Sequence, residues 1–371
     1  ENPATWLHKY PSATDRTLKQ ALKNRLDAHP LAGRMAKVWT ILAETKAAGL
    51  AVTERLRIVR DVPQPGTGER RDVLRLTWLR EPARARPVLL LDADASPLIT
   101  ERLFPGMEIV KAPAEPNAYA VQVVDKTMSK NALLGSDQLR AEAVSLVRSE
   151  VWRDKQAAGS GVLVGATRAV VKRLFEDAGH CFDGMEAAAI STFMQETALH
   201  GARWIWFGSA ALGRNDWSDC TTVIILGREE LAPEALEDLA RALFGDSGEP
   251  LQFMDPEAPN FPEVEARYVM RDGSGRAVMV RRHPDGRIAE IQTQVRECAT
   301  RQLIERLRLV RAAKPKRVVI ACKIPLPDFP VDELTTWADL IPNRLECAAL
   351  EAAEDGRQVL RMSAGGLAAD A

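Results

Sequence analysis

Short apolar runs alternate with amphipathic stretches along most of this chain. A continuous apolar run of about four to eight residues is typical of a strand that is buried on both faces of a sheet. Such runs occur at 87–92, 162–166, 203–207, 222–227 and 317–322. Residues with helical periodicity lie between several of them, at 138–157, 167–178, 185–199, 230–244 and 294–311. This alternation predicts an α/β fold with a mostly parallel sheet.

Two regions depart from this pattern. Residues 12–49 have helical spacing, and residues 51–60 and 72–80 alternate apolar and polar around a turn-rich loop, which predicts a β-hairpin. Between 264 and 291, short segments are joined by the turn sequences DGSG and HPDG, which predict an inserted antiparallel β-meander. The tail after 355 predicts one last strand.

We therefore expect two domains. Residues 1–86 would form a helical segment plus a β-hairpin. Residues 87–371 would form the sheet domain, with the meander inserted at about 262–291.

Composition excludes several classes of protein. Hydrophobic residues make up 46% of the 371, so global disorder is excluded. The formal net charge is -1, which excludes a basic, histone-like DNA coat but not a local basic patch. The five cysteines form no CxxC and the five histidines no HExxH, so we expect no dedicated metal site.

The location of the protein is also predicted from what the sequence lacks. No apolar run approaches the ~20 residues that span a bilayer, and the N-terminus has no signal peptide. We expect a cytoplasmic protein with no membrane partner. Because the chain does not begin with Met, we also expect that it derives from a longer polypeptide.

The segment VLLLDADAS, residues 88–96, is the first candidate site. An acid at the end of a buried strand is where α/β folds place chemistry. Asp92 and Asp94 resemble the first motif of haloacid-dehalogenase-type phosphatases, DxDx[TV], which holds magnesium beside a phosphate. The alternatives are a conformational relay between two lobes of a motor and a simple strand–turn boundary with a capping acid.

The segment FGSAALGRNDW, residues 207–217, is the second candidate. Gly213, Arg214 and Asn215 place a flexible turn beside a cation and a hydrogen-bonding amide, which suits contact with a phosphate or a sugar. The alternative is an ordinary solvated loop.

The predicted helix near the C-terminal end, ECATRQLIERLRLVR, is the third candidate. Gln302 and Arg306 are four residues apart and share one helix face, with Arg308 and Arg311 beside it. Such a pair can address a nucleotide phosphate from a neighbouring lobe. An amphipathic helix with a basic outer face is the simpler interpretation.

Arginines are frequent in the predicted meander and include Arg281 and Arg282. They suit contact with a nucleic-acid backbone, but also solvated strand faces and edge protection. The dipeptide Gly-Lys is absent, so the chain has no GxxxxGK[ST] phosphate loop.

In their order, these features resemble the second half of a superfamily 2 helicase of the primase-helicase-like type found in plasmids and phages. The sequence LDADA at 91–95 occupies the place of the third motif, with Asp94 where the family has Thr. The segment 162–174 is similar to the fourth motif region, and 207–228 resembles the fifth, in which Gly213 and Asn215 match. The segment QLIERLR at 302–308 resembles the sixth motif, QxxGRxxR, with Glu305 in place of the glycine.

This resemblance implies a RecA-like domain that acts as the C-terminal lobe of an ATP-dependent DNA helicase or translocase. ATP and magnesium would be held mainly by a first lobe absent from this chain, located upstream in the same polypeptide or in a partner chain. Gln302 and Arg306 would reach the γ-phosphate, and Asp92 would lie on the relay between lobes. Leu309 stands where the motif has its last arginine, and either Arg308 or Arg311 would substitute for it. The Gly213–Asn215 loop, with Arg281 and Arg282, would contact DNA, single-stranded rather than duplex.

Two other functions remain open at this stage. One is a magnesium-dependent phosphatase with Asp92 as nucleophile and Asp94 as acid/base. The other is a non-catalytic RecA-like module that binds DNA or a protein, which the absent Gly-Lys loop favours.

Overall fold

The computed structural model describes residues 30–64, 68–79, 87–112, 114–208, 215–255, 257–258 and 260–354. The chain divides into two compact units. The first contains the described residues up to 79 together with 237–253, and the second contains the other described residues. The predicted strand after 355, and the predicted helical residues 12–29, lie outside the described part.

The first unit contains helix α1 (Pro30–Ala47) and the hairpin of strands β1 (Leu56–Pro63) and β2 (Arg70–Leu76). The two strands are antiparallel, which confirms the predicted hairpin. Asp238 joins them, because its two carboxylate oxygens lie 2.8 Å from Arg57 Nη2 and 2.7 Å from Arg75 Nη1.

The second unit is built on a six-stranded parallel sheet. Its strands are β3 (Ala118–Val123), β4 (Val162–Ala166), β5 (Arg203–Trp206), β6 (Thr222–Leu226), β9 (Lys316–Ala321) and β10 (Glu333–Thr335). Their order in the sheet is β10-β3-β9-β6-β4-β5. With the helices that flank it, this is the predicted α/β, RecA-like fold.

Alternate residues of these strands belong to two separate hydrophobic clusters, one on each face of the sheet. Ile224 and Leu226 of β6 lie in the first cluster, and Val223 and Ile225 lie in the second. Both faces are therefore covered, which is the physical reason that these strands read as continuous apolar runs.

Helices cover the two faces separately. The first cluster includes residues of α3 (Lys130–Gly135), α4 (Asp137–Gln156), α5 (Arg168–Asp177), α6 (Ala187–Glu196) and α10 (Trp337–Leu340). The second includes residues of α9 (Ala299–Ile304) and of the turns that follow it. The remaining helices are α2 (Pro97–Leu103), α7 (Pro233–Phe244), α8 (Gly286–Thr293) and α11 (Arg344–Glu354).

Most predicted elements are confirmed, but the strand predicted at 87–92 is wrong. These residues have no regular structure and pair with no described strand. Leu89 and Leu91 are 82% and 86% exposed. An apolar run becomes a strand only when a sheet edge is available to pair with it, and that is decided by the tertiary structure. Conversely, the sequence did not predict strands β3 and β10.

The inserted antiparallel segment is a hairpin of β7 (Glu263–Val269) and β8 (Gly275–Arg281). The third predicted segment of the meander, RIAEI at 287–291, lies instead in helix α8. The sequence HPDG accounts for the difference, because Asp285 is the N-cap of that helix. Its side chain accepts hydrogen bonds from the backbone N–H groups of Arg287 and Ile288.

The helix predicted at 294–311 is interrupted. A π-helical turn (Gln294–Cys298) precedes α9, and two 3-10 turns (Glu305–Leu307 and Leu309–Arg311) follow it. Arg308, between the two 3-10 turns, has a left-handed backbone with φ of 54°.

None of the described helices is long and apolar enough to cross a membrane.

Candidate phosphate-binding cavity

A cavity of about 460 Å³ opens at the amino-terminal edge of the parallel sheet. Two stretches of chain form it: the one that leads into β6 and the one that leads into β9. Its lining residues are Asn215, Ser218, Leu307, Arg308, Arg311, Ala312, Ala313 and Lys316. Asn215 and Arg308 come from the second and third candidate segments, so the fold brings two predicted site residues together across 93 positions of sequence.

Positive charge dominates the cavity. Three of its lining residues are the cations Arg308, Arg311 and Lys316, and no acid is among the lining residues that the structure describes, although the charge of Asp219 acts on Lys316. Three cations around one concave space suit an anion with several charged oxygens, such as a polyphosphate.

Lys316 connects the two walls of the cavity. Its Nζ donates hydrogen bonds to Ser218 O at 2.6 Å and to Leu307 O at 2.8 Å. Burial lowers the pKa of Lys316, while the nearby Cys220 and Asp219 oppose this change. Sequence reasoning missed this residue, although a lysine at the first position of an apolar strand was a usable signal.

Arg308 combines a left-handed backbone with a side chain that reaches Asn215. The Nη2 atom of Arg308 donates a hydrogen bond to Asn215 Oδ1. A non-glycine residue with positive φ is uncommon, and such strained residues cluster at binding and catalytic sites.

Gln302 and Arg306 lie just before the cavity and not in its lining. The predicted continuous helix ends between them, and the contact that the structure shows is from Arg306 Nε to the backbone oxygen of Gln302 at 3.2 Å. Burial, followed by the neighbouring charge of Arg308, lowers the pKa of Arg306.

Arg281 and Arg282, which were also predicted to contact DNA, are not among the described residues that line the cavity. Arg281 donates to Asn260 Oδ1 at 2.7 Å, and Arg282 lies 3.2 Å from Glu297 Oε1. Glu297 offsets the positive charge of Arg282, whereas Asn260 is neutral and leaves the charge of Arg281 in place. Gly213 and Arg214 lie outside the described residues.

Asp92 and Asp94 follow an irregular segment, not a strand. Asp92 is exposed, and its Oδ1 accepts a hydrogen bond from the Asp94 backbone N–H. Asp94 is buried and forms an ion pair with Arg301. This arrangement lacks the strand-end carboxylate pair that a phosphatase of the predicted type requires. Among the described residues, no group of three or more His, Cys, Asp or Glu is arranged to hold a metal ion.

The carboxyl ends of β4 and β6 form the crevice where doubly wound folds usually bind ligands, because the chain leaves these two strands in opposite directions. Both arginines there already have partners. Arg168 donates to Ser191 Oγ and Ala187 O, and Arg228 donates to Glu230 and to Thr127 O. Arg308 and Lys316 at the opposite edge have partners too, but these are the neutral oxygens of Asn215, Ser218 and Leu307, whereas Arg228 is paired with a carboxylate. The cavity at that edge therefore keeps more positive charge for binding an anion than Arg228 does.

Comparisons of the chain with models of protein families, with curated proteins and with solved structures gave no match.

Proposed function

We propose that this chain is the C-terminal motor lobe of an ATP-dependent DNA helicase or translocase of plasmid or phage replication. The observation that carries the proposal is the convergence of Asn215, Arg308 and Arg311 on one basic cavity. Asn215 and Arg308 come from the two segments that resemble the fifth and sixth helicase motifs, and Arg311 follows the second of these segments. Their meeting in one place is what a motor lobe needs to couple a nucleic-acid loop to a nucleotide.

The cavity fits the terminal phosphates of a nucleotide presented by another lobe. Arg308 and Arg311 supply guanidinium donors that match phosphate oxygens, and Lys316 holds the two walls together. ATP and magnesium bound to the first lobe would present their phosphates to this cavity, and Arg308 and Arg311 would stabilise the negative charge of those phosphates. The partners of this lobe are then a first RecA-like lobe and single-stranded DNA, in the cytoplasm.

Binding of inorganic triphosphate tests the proposal directly. We expect the purified chain to bind it at low ionic strength, as measured by isothermal titration calorimetry. Loss of charge-assisted hydrogen bonds in Arg308→Ala or Arg311→Ala should weaken binding by about 10- to 100-fold. The control Arg173→Ala removes an arginine that pairs with Asp177 on α5, and should bind like the wild type.

Competition with a single-stranded oligonucleotide shows whether the cavity binds the phosphates of a nucleotide or those of the nucleic-acid backbone. If the cavity takes a nucleotide, triphosphate should not compete with the oligonucleotide. If it takes the nucleic-acid backbone, the two ligands should compete and Arg308→Ala should weaken both. Triphosphate binding that is absent, or that is unaffected by Arg308→Ala and Arg311→Ala, would contradict the proposal.

ATP turnover provides a second test. Because the chain has no Gly-Lys phosphate loop, we expect it to show no ATPase activity alone, with or without DNA. A coupled phosphate-release assay measures this. Turnover that is lost in Arg306→Ala would contradict the two-lobe mechanism. If the chain binds neither triphosphate nor DNA, the result would favour the non-catalytic, protein-binding module.

A further inference from the structure

A buried ion pair lies beside the helix that leads into the cavity. Arg301 of α9 pairs with the carboxylate of Asp94. The same guanidinium donates to Ala93 O at 2.8 Å and to Pro327 O at 3.0 Å. Gln294 Nε2 adds a bond of 2.9 Å to Asp94 O. Arg301 therefore ties α9 to two other segments of the chain, one turn before Arg306.

This ion pair lowers the stability of the fold through the burial of the Asp94 carboxylate. The Asp94 side chain is 3% exposed, and its Oδ2 is buried with no hydrogen-bond partner among the described residues. Burial raises the pKa of Asp94, and the attraction of Arg301 does not cancel this effect. The charges of Asp92 and Asp328 raise it further. A buried charge with an unused oxygen costs stability, so stability alone does not explain why an acid occupies this position.

We propose that Asp94 and Arg301 are positioning residues, which hold α9 and the turns after it in the orientation that places Arg308 at the phosphate cavity. The inference rests on the proposed function of that cavity. Arg301 immediately precedes Gln302, whose backbone oxygen accepts the bond from Arg306. A displacement of α9 would therefore be carried directly to Arg306 and to the strained residue Arg308.

Three variants separate positioning from stability. Arg301→Met leaves the buried Asp94 carboxylate without its partner and should lower both stability and triphosphate affinity. The double variant Asp94→Asn with Arg301→Met removes both charges, so it should recover most of the lost stability. It should still bind triphosphate about 2- to 30-fold more weakly than the wild type, the range expected for residues that act through others. The control Lys172→Gln removes one half of an exposed ion pair with Glu176 and should change neither quantity.

Hydrogen exchange of residues 299–311 gives a readout that does not depend on the ligand. In the double variant we expect faster exchange in this segment, at a global stability close to that of the wild type. If affinity and local exchange simply follow global stability in all the variants, the pair is structural only and the inference is wrong. If the wild type binds no triphosphate, the proposed function fails, and the exchange result still decides whether Asp94 and Arg301 position the segment.

Discussion

Gly227→Ala should destabilise the protein by roughly 3 kcal/mol or more, the largest effect that we expect from a single methyl group. Gly227 follows β6 and has a φ of 78°, a conformation that side chains rarely adopt. A Cβ there would lie 2.1 Å from the backbone oxygen of Met128, which cannot rotate away. Both the strained backbone and the clash oppose the substitution.

Gly179→Ala is the matched control for this prediction. Its φ is 93°, but an added Cβ would meet nothing within 4 Å. We expect a loss of about 1–2 kcal/mol, from backbone strain alone. Urea unfolding followed by circular dichroism measures both variants. Equal losses in the two would show that the contact with Met128 relaxes easily and that the close approach is not important.

Glu150→Ala should cost about 2–3 kcal/mol, because it removes the two charge-assisted hydrogen bonds between a buried carboxylate and Arg317, whose side chain is 20% exposed. The Glu150 side chain on α4 is 1% exposed, and its two oxygens accept from Arg317 Nε at 2.7 Å and Nη2 at 3.0 Å. Arg317 is the neighbour of Lys316 in β9, so this pair also fixes the strand that begins at the cavity.

An exposed ion pair provides the comparison. Glu351 lies 3.6 Å from Arg148, and both side chains are partly exposed. Glu351→Ala should change the free energy of unfolding by no more than about 1 kcal/mol, as measured by the same urea titration. The double variant Glu150→Leu with Arg317→Leu should recover much of the loss, since it leaves no unpaired charge. A double variant as unstable as Glu150→Ala would contradict this explanation.

The candidate site was only partly predictable. Asn215 and Arg308 were both identified, because glycine-flanked turns and arginines on amphipathic helices are recognisable from the sequence. Their contact was not predictable, because it depends on a left-handed residue between two 3-10 turns. Arg281 and Arg282 carry the charge expected of DNA-binding residues, but Asn260 and Glu297 engage them in the folded chain. Partners that are distant in sequence decide how much of a charge remains available.

The sequence by itself determined the α/β class, the first hairpin, two of the three segments of the predicted meander, and the strands β4, β5, β6 and β9. Local periodicity was sufficient there because it reports whether one or both faces of an element are buried. It did not determine whether an apolar run finds a sheet edge, so 87–92 was predicted as a strand while β3 was missed. Only the tertiary structure decided the strand order, the meeting of Asn215 with Arg308, and the pairing of Asp94 with Arg301. These features depend on contacts between residues that are far apart in the chain, and local patterns carry no information about such contacts.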